Sequence, residues 1–219
     1  MQRTTEPELM DTDAQALAYA LADFSAPHQH FVELCSAVMP VDTALDVLDL
    51  GCGPADVTVR FALAYPRVKV DGVDGSAPML ALGRERVTRE NLAHRVALHT
   101  MLLPAATLPR ARYDAVISNS LLHHLHDPLV LWRTVRQAAS PGATVCIMDL
   151  RRPDHPDVVD TLVRQHAADA PDVLRQDFRA SLHAAFTVEE VQQQLKEAGL
   201  TLKVDAVGDR HLFIHGHVG

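Results

Sequence analysis

The feature that most constrains the fold is a glycine turn between a buried strand and a helix. Residues 46–50 (DVLDL) are typical of a buried strand, residues 51–54 (GCGP) break it, and residues 57–64 suit a helix that stops before Pro66. Glycine lets the backbone turn tightly and approach a ligand closely, and the helix that follows offers unpaired N–H groups. A ligand-binding loop and a purely structural turn both fit this segment.

The alternation of strands and helices continues after this unit. Residues 68–74 predict a second strand, and residues 96–99, 115–118 and 144–149 predict three more. Such alternation favours a parallel sheet wrapped by helices. The helix before the fifth strand is expected to open at Asp127-Pro128 and to close at Pro141-Gly142.

The end of the chain changes the sheet type. Residues 201–207 and 211–217 predict two antiparallel strands, because the Gly208-Asp209-Arg210 segment between them has turn chemistry. We therefore expect an α/β fold with a Rossmann-like, mixed but mainly parallel sheet flanked by helices.

A chain of 219 residues fits one domain better than two. We expect residues 9–40 to form an N-terminal helical cap, residues 45–150 a cofactor-binding core, residues 151–185 a helical lid and residues 186–219 a helix and hairpin. Leu17, Leu21 and Val158 are predicted on the apolar faces of cap and lid helices.

Composition excludes several classes of function. The net charge of −8 argues against a protein held to nucleic acid by bulk positive charge. No apolar run approaches the roughly 20 residues of a membrane helix. The cysteines, Cys35, Cys52 and Cys146, are odd in number and widely spaced, which suggests reduced thiols. We expect a cytoplasmic protein with a small-molecule substrate and no membrane or nucleic-acid partner; monomer and homodimer both remain open.

Two carboxylates restrict the classes of ligand that the glycine turn could bind. Asp74 ends the second strand, about 20 residues after the glycines, where an acidic side chain accepts hydrogen bonds from ribose hydroxyls. Asp49 precedes the glycines, where a carboxylate repels a pyrophosphate and favours a cation such as the sulfonium of S-adenosylmethionine. The alternatives are a turn or capping role for Asp74 and a bond from Asp49 to the loop backbone.

Five segments together resemble one family. VLDLGCG, GVDGSAPML, YDAVISNSLLHHLHDP, SPGATVCIMDLRRP and FTVEEVQQQLKEAGL look like the successive motifs of class I S-adenosylmethionine-dependent methyltransferases, closest to the small-molecule and quinone-biosynthesis type. The resemblance covers about residues 45–153 and 186–219. It implies a seven-stranded sheet, with the cofactor bound at the carboxyl ends of the strands.

The resemblance also implies which residues contact the cofactor. Asp49, Gly51, Cys52 and Gly53 would line the methionine part of the cofactor, and Asp74 would bind its ribose. Gly75, Ser76 and Met79 would lie at the edge of the ribose and the adenine. Asn119 follows the fourth strand, where a backbone carbonyl would meet the ammonium group of the cofactor. The sequence departs from the family at Ala55, which is usually glycine, and in residues 98–104, which lack the acid that often binds adenine. Met101 and Leu102 are then expected to pack against the adenine.

The segment His123-His124-Leu125-His126-Asp127 offers imidazoles for chemistry. We expect no metal there, because adjacent histidines point different ways, the sequence shows no matching distant cluster and Asp127 suits a helix N-cap. His123 or His124 is the candidate general base, since imidazole titrates near neutrality. A histidine tied only to backbone groups is the alternative, and methyl transfer also proceeds without a dedicated base.

Substrate recognition is predicted in the cap and lid. Tyr19, Phe24 and His28 are candidates to shape the acceptor site, and Arg152 is a candidate partner for a substrate carboxylate or phosphate. An ion pair with a nearby aspartate is the alternative role of Arg152.

The resemblance predicts methyl transfer from S-adenosylmethionine to an O, N or C nucleophile of a small molecule, with S-adenosylhomocysteine as product. Different chemistry on the same cofactor, and a binding module without catalysis, are the alternatives. A nicotinamide oxidoreductase ranks below these, because Asp49 is unsuited to a pyrophosphate.

Overall fold

The computed structural model describes residues 1–9 and 12–219, which fold around one seven-stranded sheet. The cap predicted over residues 9–40 includes residues 10 and 11, which lie outside the described residues. Helices and strands alternate as α1 Asp13–Leu21, α2 Ser25–Val38, β1 Asp46–Leu50, α3 Asp56–Ala64, β2 Lys69–Asp74, α4 Ala77–Arg89, β3 Val96–Thr100, β4 Tyr113–Asn119, a short 3-10 helix Leu122–His124, α5 Leu129–Ala138, β5 Ala139–Leu150, α6 Pro156–His166, α7 Asp172–Ala184, α8 Val188–Ala198, β6 Lys203–Val207 and β7 His211–His217.

The strand order is β3-β2-β1-β4-β5-β7-β6, with β7 antiparallel to both of its neighbours and the other pairs parallel. The predicted Rossmann-like mixed sheet is confirmed. The order reverses between β1 and β4, so the connections on the two sides diverge and leave a crevice at the carboxyl ends of these strands. This crevice is where the glycine turn lies.

Strand β1 is buried because apolar clusters cover both faces of the sheet. Leu48 and Leu50 pack on one face with Trp132, whereas Val47 packs on the other with Phe31. Strands buried on both faces need near-continuous apolar sequence, which explains the run DVLDL. Asp49 is buried in this run and is therefore a residue that packing alone does not explain.

Helix ends follow the local sequence signals. Thr12 caps α1 and Ser76 caps α4 through their hydroxyl oxygens. Thr187 and Glu190 form a capping box at the start of α8. Each of these hydroxyl oxygens accepts from an N–H group that has no partner within its helix.

The beginning of β5 differs from the prediction. The preceding helix ends at Ala138, and β5 starts at Ala139 rather than at Thr144. Ala139 already pairs with Tyr113 of β4, while the next paired residues are Ala115 and Thr144, so the segment with Pro141 bulges out of the ladder. A proline, which has no N–H, is tolerated at such a bulge.

Three apolar residues predicted on buried faces are exposed. Leu17 and Leu21 of α1 are 51% and 76% exposed, and Val158 of α6 is 42% exposed. In α6, Val159 and Leu162 are buried instead, in an apolar cluster between the lid helices and Leu150. The apolar spacing predicted these helices correctly. In α6 it placed the buried face one residue away from its observed position, at Val158 rather than at Val159. The division into cap, core and lid stays a prediction.

Candidate active site

The glycine turn is held tightly against the end of β2. The amides of Gly51 and Cys52 both donate to the carbonyl of Val73, at 2.9 and 3.1 Å. Gly51 and Gly53 have φ of 71° and 50°, in the left-handed region that favours glycine. A Cβ on Gly51 would lie 2.9 Å from Leu121 Cβ, whereas a Cβ on Gly53 would point into open space. The turn therefore presents its backbone to a cavity.

Asp74 joins this turn to the next one. Its Oδ2 accepts a hydrogen bond from Gly53 N and its Oδ1 accepts one from Ser76 N, each at 2.8 Å. Burial raises the pKa of Asp74, and these two bonds oppose that shift only in part. Each carboxylate oxygen keeps a lone pair, so Asp74 can accept two further hydrogen bonds from a ligand.

Asp49 is 1% exposed at the carboxyl half of β1 and lines the same cavity. The Thr58 hydroxyl donates to its Oδ2 at 2.6 Å. Burial raises the pKa of Asp49 to about 7, against the lowering effect of this bond. This carboxyl group is partly protonated at neutral pH, because no cationic side chain among the described residues offsets its burial. A bound cation would lower its pKa and favour the charged form.

The departure at Ala55 has a structural consequence. Ala55 lies in the left-handed region, with φ of 59°, and is fully buried. A Cβ in this region costs about 1–2 kcal/mol. Alanine is accommodated here at the cost of backbone strain, and the loop keeps its path.

The remaining predicted cofactor residues line the cavity. Gly75, Ser76, Met79, Met101 and Leu102 all belong to its wall. Leu102 is 61% exposed. The chain has no acid between residues 98 and 104. The part of the cavity that is predicted to hold the adenine therefore has the apolar side chains of Met101 and Leu102 in place of an acid.

Two further residues at this site are polar. Cys52 is a buried thiol packed against Gly72, and burial raises its pKa well above the usual value. Asn119 donates through Nδ2 to Ser120, while its Oδ1 is buried and has no hydrogen-bond partner in the part of the chain that the structure describes. An orphaned acceptor on the cavity wall favours a ligand with N–H or O–H groups.

His123 and His124 are brought to the same cavity by the 3-10 helix after β4. His123 is 3% exposed and its Nδ1 lies 2.6 Å from Oδ1 of Asp149 at the end of β5. Asp149 is fixed in turn by the amides of Leu122 and Leu150. Burial lowers the pKa of His123, but Asp149 and Glu6 outweigh burial and raise it overall.

The N-terminal segment contributes a group that the sequence did not reveal. Glu6 Oε1 lies 3.4 Å from His123 Nε2 and 3.3 Å from His124 Nδ1. Arg3 anchors the segment by donating to the carbonyls of His123, Leu125 and Ala184. The sequence shows no matching distant cluster, and a single distant residue, Glu6, joins the histidines here; a contact across more than 100 residues leaves no local pattern.

The predicted substrate residues of the cap face the cavity. Tyr19 and Phe24 have ring centroids 4.8 Å apart, and Phe24 and His28 are 5.5 Å apart. His28 Nδ1 lies 2.7 Å from Oδ2 of Asp56, which also pairs with two arginines. His28 is therefore anchored, while the two aromatic rings form the surface.

Arg152 does not contact the cavity, and its predicted substrate role is corrected. Its guanidinium donates to Glu190, 2.5 Å away, and to the carbonyls of Ala185 and Met1. It is 7% exposed. The predicted ion pair with an aspartate is also wrong, because the partner is a glutamate of α8. Arg152 ties the end of β5 to the start of α8.

Asp127 is displaced by one position from its predicted role. The N-cap of α5 is Pro128, but Asp127 Oδ1 accepts from the amide of Leu129 at 3.0 Å. The carboxylate still satisfies a free N–H at the helix start.

The cavity has a volume of about 1250 Å³. A site for one drug-sized ligand is about 300–1,000 Å³. The glycine turn forms one part of its wall, and the aromatic cap residues and lid residues Leu174, Asp177 and Phe178 form another. The space suits two ligands side by side.

The comparisons with known proteins agree with this geometry. Residues 48–145 match the family model described as a methyltransferase domain. This part of the chain is therefore similar to methyltransferase domains. An uncharacterized methyltransferase of Mycobacterium tuberculosis is 32% identical over 124 residues, which cover 57% of this chain and 59% of that protein. A demethylmenaquinone methyltransferase of Lactiplantibacillus plantarum is 32% identical over 134 residues, 59% of this chain and 55% of that protein.

A solved structure supports the fold over nearly the whole chain. A SAM-dependent methyltransferase from Aquifex aeolicus superposes with a TM-score of 0.72 at 18% identity, covering 95% of this chain and 99% of that one. The curated relatives, by contrast, are matched over little more than half of their length. Within the described residues, the helices include none long and apolar enough to cross a membrane.

Proposed function

We propose that this chain is a class I methyltransferase and that it transfers a methyl group from S-adenosylmethionine to a nucleophilic O, N or C atom of a small molecule. The observation that carries the proposal is the pair of buried carboxylates, Asp49 and Asp74, at the glycine turn. Among the described residues, neither has a cationic side chain as partner. A cationic ligand with a diol supplies what both carboxylates lack.

The groups present fit this cofactor. Asp74 has acceptor capacity for the ribose hydroxyls, Asp49 can meet positive charge, and the Asn119 Oδ1 is a further free acceptor. When bound, S-adenosylmethionine supplies a methyl group already activated by a sulfonium. Met101 and Leu102 offer apolar surface to the adenine in place of the missing acid.

The contribution of the chain is to bind, to orient and to exclude water. Aligning a nucleophile with an activated methyl group removes much of the entropic barrier of the reaction. We propose that Tyr19, Phe24 and His28 hold the acceptor, that residues 151–185 cover it as a lid, and that His123 and His124 are the catalytic groups at the acceptor. Phe178 of α7 faces the same space.

The acceptor is proposed to be uncharged or cationic. Among the described residues that line the cavity, Arg210 is the single arginine or lysine, and it is paired with Asp209. Asp177 Oδ2, in contrast, is buried without a hydrogen-bond partner in residues 1–9 and 12–219. A carboxylate or phosphate acceptor would lack a free cation, whereas an aromatic or hydroxylated one would meet Tyr19, Phe24 and Phe178. The similarity to a demethylmenaquinone methyltransferase supports a small-molecule acceptor.

Methyl-labelled S-adenosylmethionine tests the proposal. The folded protein is incubated with the labelled cofactor and a panel of phenols, quinols, amines and carboxylic acids, and labelled product and S-adenosylhomocysteine are quantified. We expect equal amounts of both with at least one neutral acceptor. Binding of S-adenosylhomocysteine without transfer across the panel would favour a binding module, and no binding would contradict the proposal.

A further inference from the structure

A cluster of two imidazoles and one carboxylate lies beside the proposed acceptor site. One ligand atom each from Glu6, His123 and His124 lies within 4.8 Å of the other two. Both histidines line the cavity. Glu6 comes from the N-terminal segment, which lies outside the matched methyltransferase domain at residues 48–145.

We propose that Glu6, His123 and His124 bind a divalent transition-metal ion through Oε1, Nε2 and Nδ1. Zinc in a tetrahedral site, with bonds of about 2.0–2.1 Å, separates its ligand atoms by about 3.3–3.4 Å. The carboxylate oxygen of Glu6 is 3.4 Å from His123 Nε2 and 3.3 Å from His124 Nδ1. Two edges of the coordination polyhedron are thus already formed.

The carboxylate oxygen offers independent support. Glu6 is 8% exposed at its side chain, and its Oε1 is buried without a hydrogen-bond partner among the described residues. A buried carboxylate oxygen without a donor is costly. A metal ion satisfies this oxygen without any rearrangement of the N-terminal segment.

Groups behind the ligands orient them as in known metal centres. His123 presents Nε2 to the cluster because its Nδ1 is held 2.6 Å from Asp149. The other oxygen of Glu6 accepts from the Ser181 hydroxyl at 3.2 Å. A carboxylate behind a ligating histidine fixes its tautomer and raises its basicity.

His124 must exchange one contact to become a ligand. Its Nδ1 lies 3.3 Å from the carbonyl of Pro7, a distance equal to that from Glu6. Its side chain is 17% exposed, against 3% for His123, so its ring has more room to turn toward the metal.

The ligand set selects the kind of metal. Two imidazoles and one carboxylate suit zinc or ferrous iron, whereas magnesium and calcium prefer oxygen ligands throughout. Three protein ligands leave a position for water or an acceptor oxygen, whose pKa the metal would lower. This use of the metal rests on the proposed methyl transfer, but metal binding itself does not.

Metal binding is measured on the full chain after treatment with a chelator. Zn²⁺ is titrated by calorimetry, and Co²⁺ by visible absorption, which intensifies on tetrahedral coordination. We expect one ion per chain, with affinity about 100-fold or more weaker in Glu6→Gln and in His124→Gln, because loss of a ligand exceeds the 10–100-fold effect of its supporting groups. His94→Gln removes an exposed histidine outside the cluster and should leave the affinity unchanged.

S-adenosylhomocysteine titrations on the same metal-free samples separate the two proposals. Unchanged binding of this product in the variants shows that they are folded. Stoichiometric metal binding with loss in both cluster variants supports the site, even if no methyl acceptor is found. Absence of binding to the wild-type chain at millimolar Zn²⁺, or equal affinity in wild type, Glu6→Gln and His124→Gln, overturns it.

Discussion

Two aspartates of strand β2 show opposite environments three residues apart. Asp71 accepts from Arg110, 2.7 Å away, and from the Tyr113 hydroxyl, and it lies 3.0 Å from His99. Although burial raises the pKa of Asp71, these partners lower it overall. Asp74 accepts from two backbone amides and from no other described group, and burial raises its pKa.

This difference in partners distinguishes Asp71, a carboxylate that stabilises the fold, from Asp74, a carboxylate available to bind a ligand. Asp71 is compensated by this chain's own cations and links β2 to residues before and within β4. Asp74, like Asp49 on β1, is desolvated without a cation among the described residues, which costs free energy unless a ligand supplies the missing groups. We propose that these uncompensated carboxylates at the carboxyl ends of the strands mark the cofactor site.

The largest expected effect comes from exchanging each aspartate for alanine. Asp74→Ala should weaken S-adenosylhomocysteine binding about 100-fold or more, because each lost hydrogen bond to a charged group contributes about 1.5–3 kcal/mol. Asp71→Ala should leave the affinity unchanged. Calorimetric titration of both variants measures this difference.

The free energy of unfolding should show the opposite order, with the larger loss in Asp71→Ala than in Asp74→Ala. Asp71→Ala leaves Arg110 without its buried partner and should lower the free energy of unfolding by about 2–3 kcal/mol in denaturant titrations. Equal losses of affinity in the two variants would remove the distinction between the carboxylates.

The second prediction concerns pH. Asp49 has a pKa of about 7 in the free protein, and a bound cation favours its charged form. As pH falls from 8 to 6, S-adenosylmethionine must displace a proton, so its Kd should rise about tenfold. S-adenosylhomocysteine, which lacks the sulfonium, should show a smaller change.

Asp49→Asn is the matched control, because it preserves the shape of the side chain. Its affinity for S-adenosylmethionine should be low and independent of pH between 6 and 8. A wild-type Kd that does not vary over this interval would show that Asp49 does not face the cation.

The smallest effect is expected at two glycines with similar backbones. Gly53 and Gly142 have φ of 50° and 80°, and an added Cβ meets nothing within 4 Å at either position. Alanine at either should lower the free energy of unfolding by about 1 kcal/mol through left-handed strain. Because Gly53 alone lines the cavity, Gly53→Ala should also weaken S-adenosylhomocysteine binding several-fold, and Gly142→Ala should not.

The sequence predicted the parts of the site that local chemistry specifies. The glycine turn and Asp74 at the end of β2 follow from strand ends and turn residues, which are readable within a few positions. The strand pattern likewise predicted the seven strands and the antiparallel pairing of the last two.

Contacts between distant segments were not predictable in this way. Glu6 lies beside His123 although more than 100 residues separate them, and Arg152 pairs with Glu190 rather than facing the cavity. Neither contact produces a periodic pattern in the sequence. Asp149, which orients His123, offered one usable sign, since it is an acid within an otherwise apolar strand. The exposed faces of Leu17 and Leu21 show the same limit, because helical spacing locates a stripe but not what covers it.

Calorimetric titration of the wild-type chain with S-adenosylmethionine tests the central claim most directly. The account predicts one site per chain with a Kd in about the micromolar range, comparable with usual substrate affinities, and weaker binding at pH 6 than at pH 8. Folded protein that takes up no S-adenosylmethionine at millimolar concentration would contradict it.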